Sequence, residues 1–175
     1  MTFIIIGNIL TALGMTLFFL SSFLKTKKKI LIFQTGNHTL SSIGQLFLNQ
    51  YSGAIQDFVS IIRNICIIFN KNTKFLNYFF IILGLALGVG FNVWLNYNKT
   101  FDLIMGFLPV FASFQYSVII LLPNVKVYQI KLSMILSCIC WTIYGLIYLN
   151  YSMAISNFII LIANVVILIR AKINK

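Results

Sequence analysis

Acid is almost missing from this chain. Its 175 residues carry two carboxylate side chains, Asp57 and Asp102, and no glutamate. His38 is the single histidine, and Cys66, Cys138 and Cys140 are the only thiols. General acid–base catalysis draws mostly on carboxylates and imidazoles, so this inventory leaves few options. No glycine-rich phosphate loop, zinc motif or nucleophile elbow is present. An enzyme is not expected, and neither is a cofactor, a metal site or a catalytic residue. Cys138 and Cys140 stand two apart, which points them to different sides of a helix. All three cysteines lie in apolar stretches and read as small buried hydrophobes with no disulfide.

What is abundant is hydrocarbon. The chain is 60% hydrophobic and 9% charged. No soluble domain of this size can bury that much apolar side chain, so the sequence reads as an integral membrane protein. Thirteen basic residues give a net charge of +11, which taken alone suggests nucleic acid. Their positions argue for topology instead. Lys25, Lys27, Lys28, Lys29, Lys71, Lys74, Lys126, Lys131, Arg170, Lys172 and Lys175 sit between or after hydrophobic spans. No nucleic-acid partner is expected; the basic ends suit anionic lipid headgroups.

Seven spans fit, at 3–23, 30–49, 52–70, 76–96, 101–122, 129–149 and 151–170, each near the ~20 residues that cross a bilayer. Eleven basic residues fall on one side and Lys99 on the other, with Arg63 inside a span. The asymmetry puts the N-terminus outside and the C-terminus in the cytoplasm. A cleavable signal peptide is not expected, because the lysine cluster follows the first apolar stretch. The second span is too polar to face lipid on all sides. Yet two basic loops flank spans two and three, and keeping both cytoplasmic takes two crossings. The second span must then be shielded or line a cavity.

The chain repeats itself. YSGAIQDFVSIIRNICIIF from Tyr51 and YSMAISNFIILIANVVILI from Tyr151 align without a gap at an offset of 100. Spans two and three match spans six and seven, and FIIIG at Phe3–Gly7 weakly matches FDLIMG at Phe101–Gly106. Span four has no counterpart. The expected fold is all-α, with a three-helix repeat in 1–70, a linker helix in 71–98 and a parallel three-helix repeat in 99–175. Gly84 and Gly88 in the linker span, with Ala86 and Gly90 at the same spacing, read as helix-packing faces.

At this point the chain resembles the SWEET/PQ-loop (MtN3-like) superfamily and, more closely, the bacterial inner-membrane YgjV-type family. The resembling stretches are the basic turn KTKKK, the IIRN end of span three, LPVF in span five and SCICWTIY in span six. The resemblance implies a multi-pass protein of the bacterial inner membrane. It also implies an asparagine on the third helix of each repeat facing a central cavity, places held by Asn64 and Asn164. An aromatic on the second helix walls the site in the superfamily, and Trp141 fits in the second copy. Its counterpart, Ser41, does not. The PQ dipeptide is absent, and Pro109 in span five has no equivalent in span one.

Polar groups in hydrocarbon need a reason. Gln34, Asn37, His38, Ser41 and Gln45 form one helical stripe in span two. They read either as a hydrated cavity wall or as interhelical hydrogen bonding. Asp57 and Asn64 stand seven apart, on one face at two depths, and Asn157 and Asn164 repeat them. Two such pairs would make a polar ring suited to neutral polar solutes; bonding to neighbouring backbone is the alternative. Arg63 is the costliest residue, at ~2.5–3.5 kcal/mol if uncompensated. Three roles are open to it: binding an anionic substrate group, a structural ion pair, or snorkelling to the headgroups. His38 reads as a structural residue or, with Asp57, as a proton carrier. Trp94 and Tyr51, Tyr97, Tyr144, Tyr148 and Tyr151 fall near the outer span ends and read as interfacial anchors.

The expected function is a small-solute transporter or facilitator that rocks two bundles around a central site. Asn64 and Asn164 would hold the solute, with Asp57, Asn157, Arg63, Trp141, His38 and Ser41 shaping selectivity. The solute would be polar, or anionic if Arg63 lines the cavity. The rival expectation is a receptor, sensor or scaffold that reuses the fold without transport. A monomer could suffice, since both halves are present.

Overall fold

The structure is a computed structural model that describes residues 2–69, 73–122 and 124–173. Lys71 and Lys175 lie outside the described residues, as does the side chain of Lys172. Seven α-helices make up the described fold: α1 (Thr2–Ser21), α2 (Lys27–Phe47), α3 (Tyr51–Ile68), α4 (Lys74–Asn96), α5 (Thr100–Leu121), α6 (Val127–Ile147) and α7 (Tyr151–Ile173). They match the seven expected spans to within a few residues. Five of them, all but α2 and α3, are long and apolar enough to cross a membrane.

The two exceptions are amphipathic for a visible reason. The buried face of α3 carries Ser52, Gln56, Asp57, Ser60, Arg63 and Asn64, while Phe58, Ile62, Ile65 and Phe69 are exposed. Likewise α2 buries Gln34, Asn37, Ser41 and Gln45 and exposes Ile32, Ile43 and Leu46. Most polar groups turn inward and the exposed positions are largely apolar, the inverse of a water-soluble helix and the pattern that hydrocarbon surroundings select, although Ile30 and Leu31 at the start of α2 are also buried.

The helices close into a ring. α1 packs on α2, α2 on α3, α3 on α5, α5 on α6, α6 on α7, and α7 back on α1. α4 stands outside, against α3 and α5. The closest seam is α1–α2, where a side chain on Gly7 would meet the Gly44 carbonyl oxygen at 2.8 Å. In α4 it is Gly88 that sits on Val110 of α5, and the Gly84 carbonyl accepts from Gln56 Nε2 at 3.1 Å. A side chain on Gly90 would meet nothing within 4 Å, so among the described residues only one of the two small-residue faces of α4 is packed.

The turns that end α2 and α6 are alike. Asn49 (φ 58°) and Leu149 (φ 56°) are both left-handed. Behind them, Gln50 N–H donates to the Gln45 carbonyl at 2.9 Å and Asn150 N–H to the Gly145 carbonyl at 2.8 Å. This is the hydrogen bond of a left-handed helix cap, made twice at positions 100 apart. α3 and α7 start at once, with Ala54 and Ala154 donating back to the Gln50 and Asn150 carbonyls.

A candidate solute cavity inside the helix ring

A cavity opens inside the ring, lined by every helix except α4. The room available to the centres of water molecules is about 50 Å³, several times the ~10–15 Å³ that one water needs. α2 contributes its whole expected stripe: Gln34, Asn37, His38, Ser41 and Gln45. α3 adds Asp57 and Ser60, α5 adds Ala112, Ser113 and Tyr116, and α7 adds Met153 and Asn157. Met15 and Phe18 come from α1, and Met134, Ser137 and Trp141 from α6. Four lining pairs stand 100 residues apart: Gln34/Met134, Asn37/Ser137, Ser41/Trp141 and Asp57/Asn157.

The carboxylate of Asp57, 4% exposed, is the only acidic group on this wall. His38 Nδ1 lies 2.6 Å from its Oδ1, and Gln45 Nε2 donates to its Oδ2 at 2.8 Å. Gln45 and Asn157 each keep a buried oxygen, Oε1 and Oδ1, with no partner. Asn157 spends its amide N–H on the Met153 carbonyl at 2.9 Å. Deeper along α2, Gln34 Oε1 accepts from the Tyr116 hydroxyl at 2.6 Å.

Five of the eight residues singled out in the sequence face this cavity: Asp57, Asn157, Trp141, His38 and Ser41. Arg63, Asn64 and Asn164 do not line it. Arg63 is 1% exposed and donates to Asn64 Oδ1 from Nε at 3.1 Å and from Nη2 at 2.9 Å, and also to Ser117 Oγ. Its guanidinium carbon stands 5.4 Å from the centre of the Tyr116 ring. Its contacts are neutral oxygens and an aromatic face. It is buried, and Asp57 bonds to His38 and Gln45. Asn164 donates to Ser22 Oγ at 3.0 Å and to the Ile160 carbonyl at 2.9 Å. Heptad spacing placed both asparagines on an inward face, but they lie one or two turns beyond the cavity and bond to Arg63, Ile160 and Ser22. Tyr144 also differs from expectation. It is 2% exposed and packs edge-on against Trp141, with ring centres 5.8 Å apart, instead of anchoring at an interface.

Beyond the lining, each end of the helix ring carries another pair 100 residues apart. At the α2–α3 and α6–α7 turns, Asn150 Nδ2 donates to Gln50 Oε1 at 3.0 Å, and Gln50 Nε2 donates to the Tyr148 carbonyl at 3.3 Å. Both residues are buried. At the opposite end Ile30 and Ile130, each 0% exposed, join Leu31, Ile120 and Met134 in one apolar cluster. Sequence reasoning passed over Gln50 and Asn150. Extending the repeat by one residue, to the amide before each Tyr-Ser, would have found them.

No curated protein and no solved structure matches the chain. Residues 5–175 match the family described as Imp-YgjV, bacterial inner membrane protein, and that match, with the apolar helices already described, makes this chain a member of that family and a multi-pass protein of the bacterial inner membrane.

Proposed function

We propose that the protein carries a small solute across the inner membrane by alternating access between two three-helix halves, α1–α3 and α5–α7, joined by α4. The observation that carries this is the polar cavity itself. Four pairs of residues 100 apart line it, and one further pair packs at each end of the ring. Positions that repeat in sequence and meet across a shared cavity are what two parallel repeats around a pseudo-twofold axis produce, and repeat interfaces are where transporters bind. On this reading the plan is 3+1+3 and resembles the SWEET/PQ-loop superfamily. The positive-inside rule puts the Gln50/Asn150 end outside and the Ile30/Ile130 end in the cytoplasm.

The solute contacts shift from the asparagines at 64 and 164 to Asp57, Asn157, Gln45, Ser41 and Trp141, which face the space. An anionic solute was expected only if Arg63 lined the cavity, and that condition is not met. The test is thiol accessibility of the Ser41→Cys variant with Cys66, Cys138 and Cys140 replaced by alanine. A membrane-impermeant maleimide is applied from one side at a time to oriented vesicles. The transport reading expects labelling from both sides, because the cavity opens to each in turn. Labelling from neither side would favour a receptor or scaffold built on a closed core.

A further inference from the structure

We propose that the cavity selects a primary organic ammonium ion with an apolar end, held by Asp57, Gln45 and Asn157 against Trp141. The proposal rests on the transport reading and names the chemistry of its solute.

Three observations lead there. First, among the described residues the cavity wall carries one carboxylate and no lysine or arginine. The cations nearest in the fold are turned away: Arg63 towards Asn64 and Ser117, and Lys131 towards the Ser22 carbonyl. A buried carboxylate in such surroundings favours a positive guest. His38, the other ionisable group touching Asp57, supplies that charge only when protonated.

Second, the lining atoms buried without a partner are both acceptors, Gln45 Oε1 and Asn157 Oδ1. Their orientation follows from chemistry. The Gln45 amide must turn its N–H to the carboxylate of Asp57, and the Asn157 amide must turn its N–H to the Met153 carbonyl. In both, the oxygen is therefore left over. An unsatisfied buried acceptor asks for a donor, and a primary ammonium brings three N–H groups where a carboxylate brings none.

Third, three of the four lining pairs differ in one sense, while Asn37 and Ser137 are both polar. Gln34, Ser41 and Asp57 face Met134, Trp141 and Asn157. Met15 and Met153 add thioether surface, which adapts to irregular apolar shapes. Trp141 reaches the Gln45–Asp57 side, because a side chain on Gly53, one turn before Asp57, would meet its ring at 3.2 Å. An indole face beside a carboxylate accommodates an alkylammonium carrying hydrocarbon.

The test is a thermal-shift comparison on the purified full-length protein in detergent. Four probes of similar size are matched in concentration and ionic strength: benzylammonium, benzyltrimethylammonium, benzyl alcohol and benzoate. Benzylammonium should raise the melting temperature by roughly 5 °C at saturation, and the other three by much less. Asp57→Asn should abolish the shift. Asparagine is what position 157 already holds, so the substitution suits the fold. Asn157→Leu, which removes an unpartnered acceptor, should weaken benzylammonium without creating a response to benzoate. Equal shifts from all four probes, a preference for benzoate, or a full shift in Asp57→Asn would overturn the ammonium assignment and leave a solute site standing. A blank from every probe would overturn the ammonium assignment, and two-sided labelling of Ser41→Cys would then show whether the transport reading stands without it.

Discussion

Arg63 and Asn64 show how a membrane interior treats an expensive residue. The guanidinium has no carboxylate partner; it is held by Asn64 Oδ1, Ser117 Oγ and the face of Tyr116. Each of these depends on Arg63 in return. Asn64 Nδ2 is already without a partner, so removing Arg63 would strand its whole amide at 0% exposure. Ser117 loses less, since its hydroxyl still donates to the Ser113 carbonyl at 2.6 Å. Arg63→Leu should therefore lower stability by ~1–3 kcal/mol, the cost of a buried unsatisfied polar group. Arg63→Leu/Asn64→Leu should recover most of that loss, because removing both partners of a buried pair costs far less than removing one. A double-mutant cycle from denaturation in detergent would measure the coupling. Additive losses would mean that the two side chains act independently. Solute binding should survive in Arg63→Leu, since Arg63 does not line the cavity.

At the scale of the element, the seven helices and the inward stripe of α2 were legible because hydrophobicity and its period are local properties. Gln34, Asn37, His38, Ser41 and Gln45 share a face whatever surrounds them, and the structure turns that face into the cavity. What lies opposite a face is not local. Asn64 and Asn164 sit on inward faces, yet their partners are Arg63 and Ser22. The first contact is with the next residue of the same helix and the second with the turn after α1, and neither is announced by heptad spacing. Tyr144 was misplaced for a related reason, since proximity to a helix end does not say which way a ring points. The helix turns carry a further test. Asn49 and Leu149 adopt the same left-handed conformation, which asparagine tolerates and leucine does not, at about 1–2 kcal/mol. Leu149 is 61% exposed, so little packing is lost by changing it. Leu149→Asn should raise stability by about 1 kcal/mol, or roughly 2–4 °C in melting temperature for a chain of this size. No change would mean that leucine's contact with lipid or detergent offsets the backbone strain.

Over the whole molecule, the two ends of the helix ring differ in kind, and on the transport reading the difference bears on how the cavity opens. The Ile30/Ile130 end is apolar and continuous with a cluster that includes Leu31, Ile120 and Met134. The Gln50/Asn150 end is held by amide hydrogen bonds between two short turns. A net hydrogen bond is worth only ~0.5–1.5 kcal/mol, and both amides find water when the turns part. On the transport reading, the amide end is thus the easier to open and the first to trap or release solute. A covalent bond across it should lock one face. The Gln50→Cys/Asn150→Cys pair, combined with Ser41→Cys in the background without native cysteines, separates the cases. Air or copper-phenanthroline oxidation joins the two turns, and a reductant frees them. If the halves rock about the central site, oxidation should remove maleimide labelling at position 41 from the outer side and leave labelling from the cytoplasmic side intact. Reduction should restore the outer labelling. Outer labelling that persists through the bond would show that solvent reaches the cavity elsewhere and that the repeated amide pair is a structural clasp, not a gate.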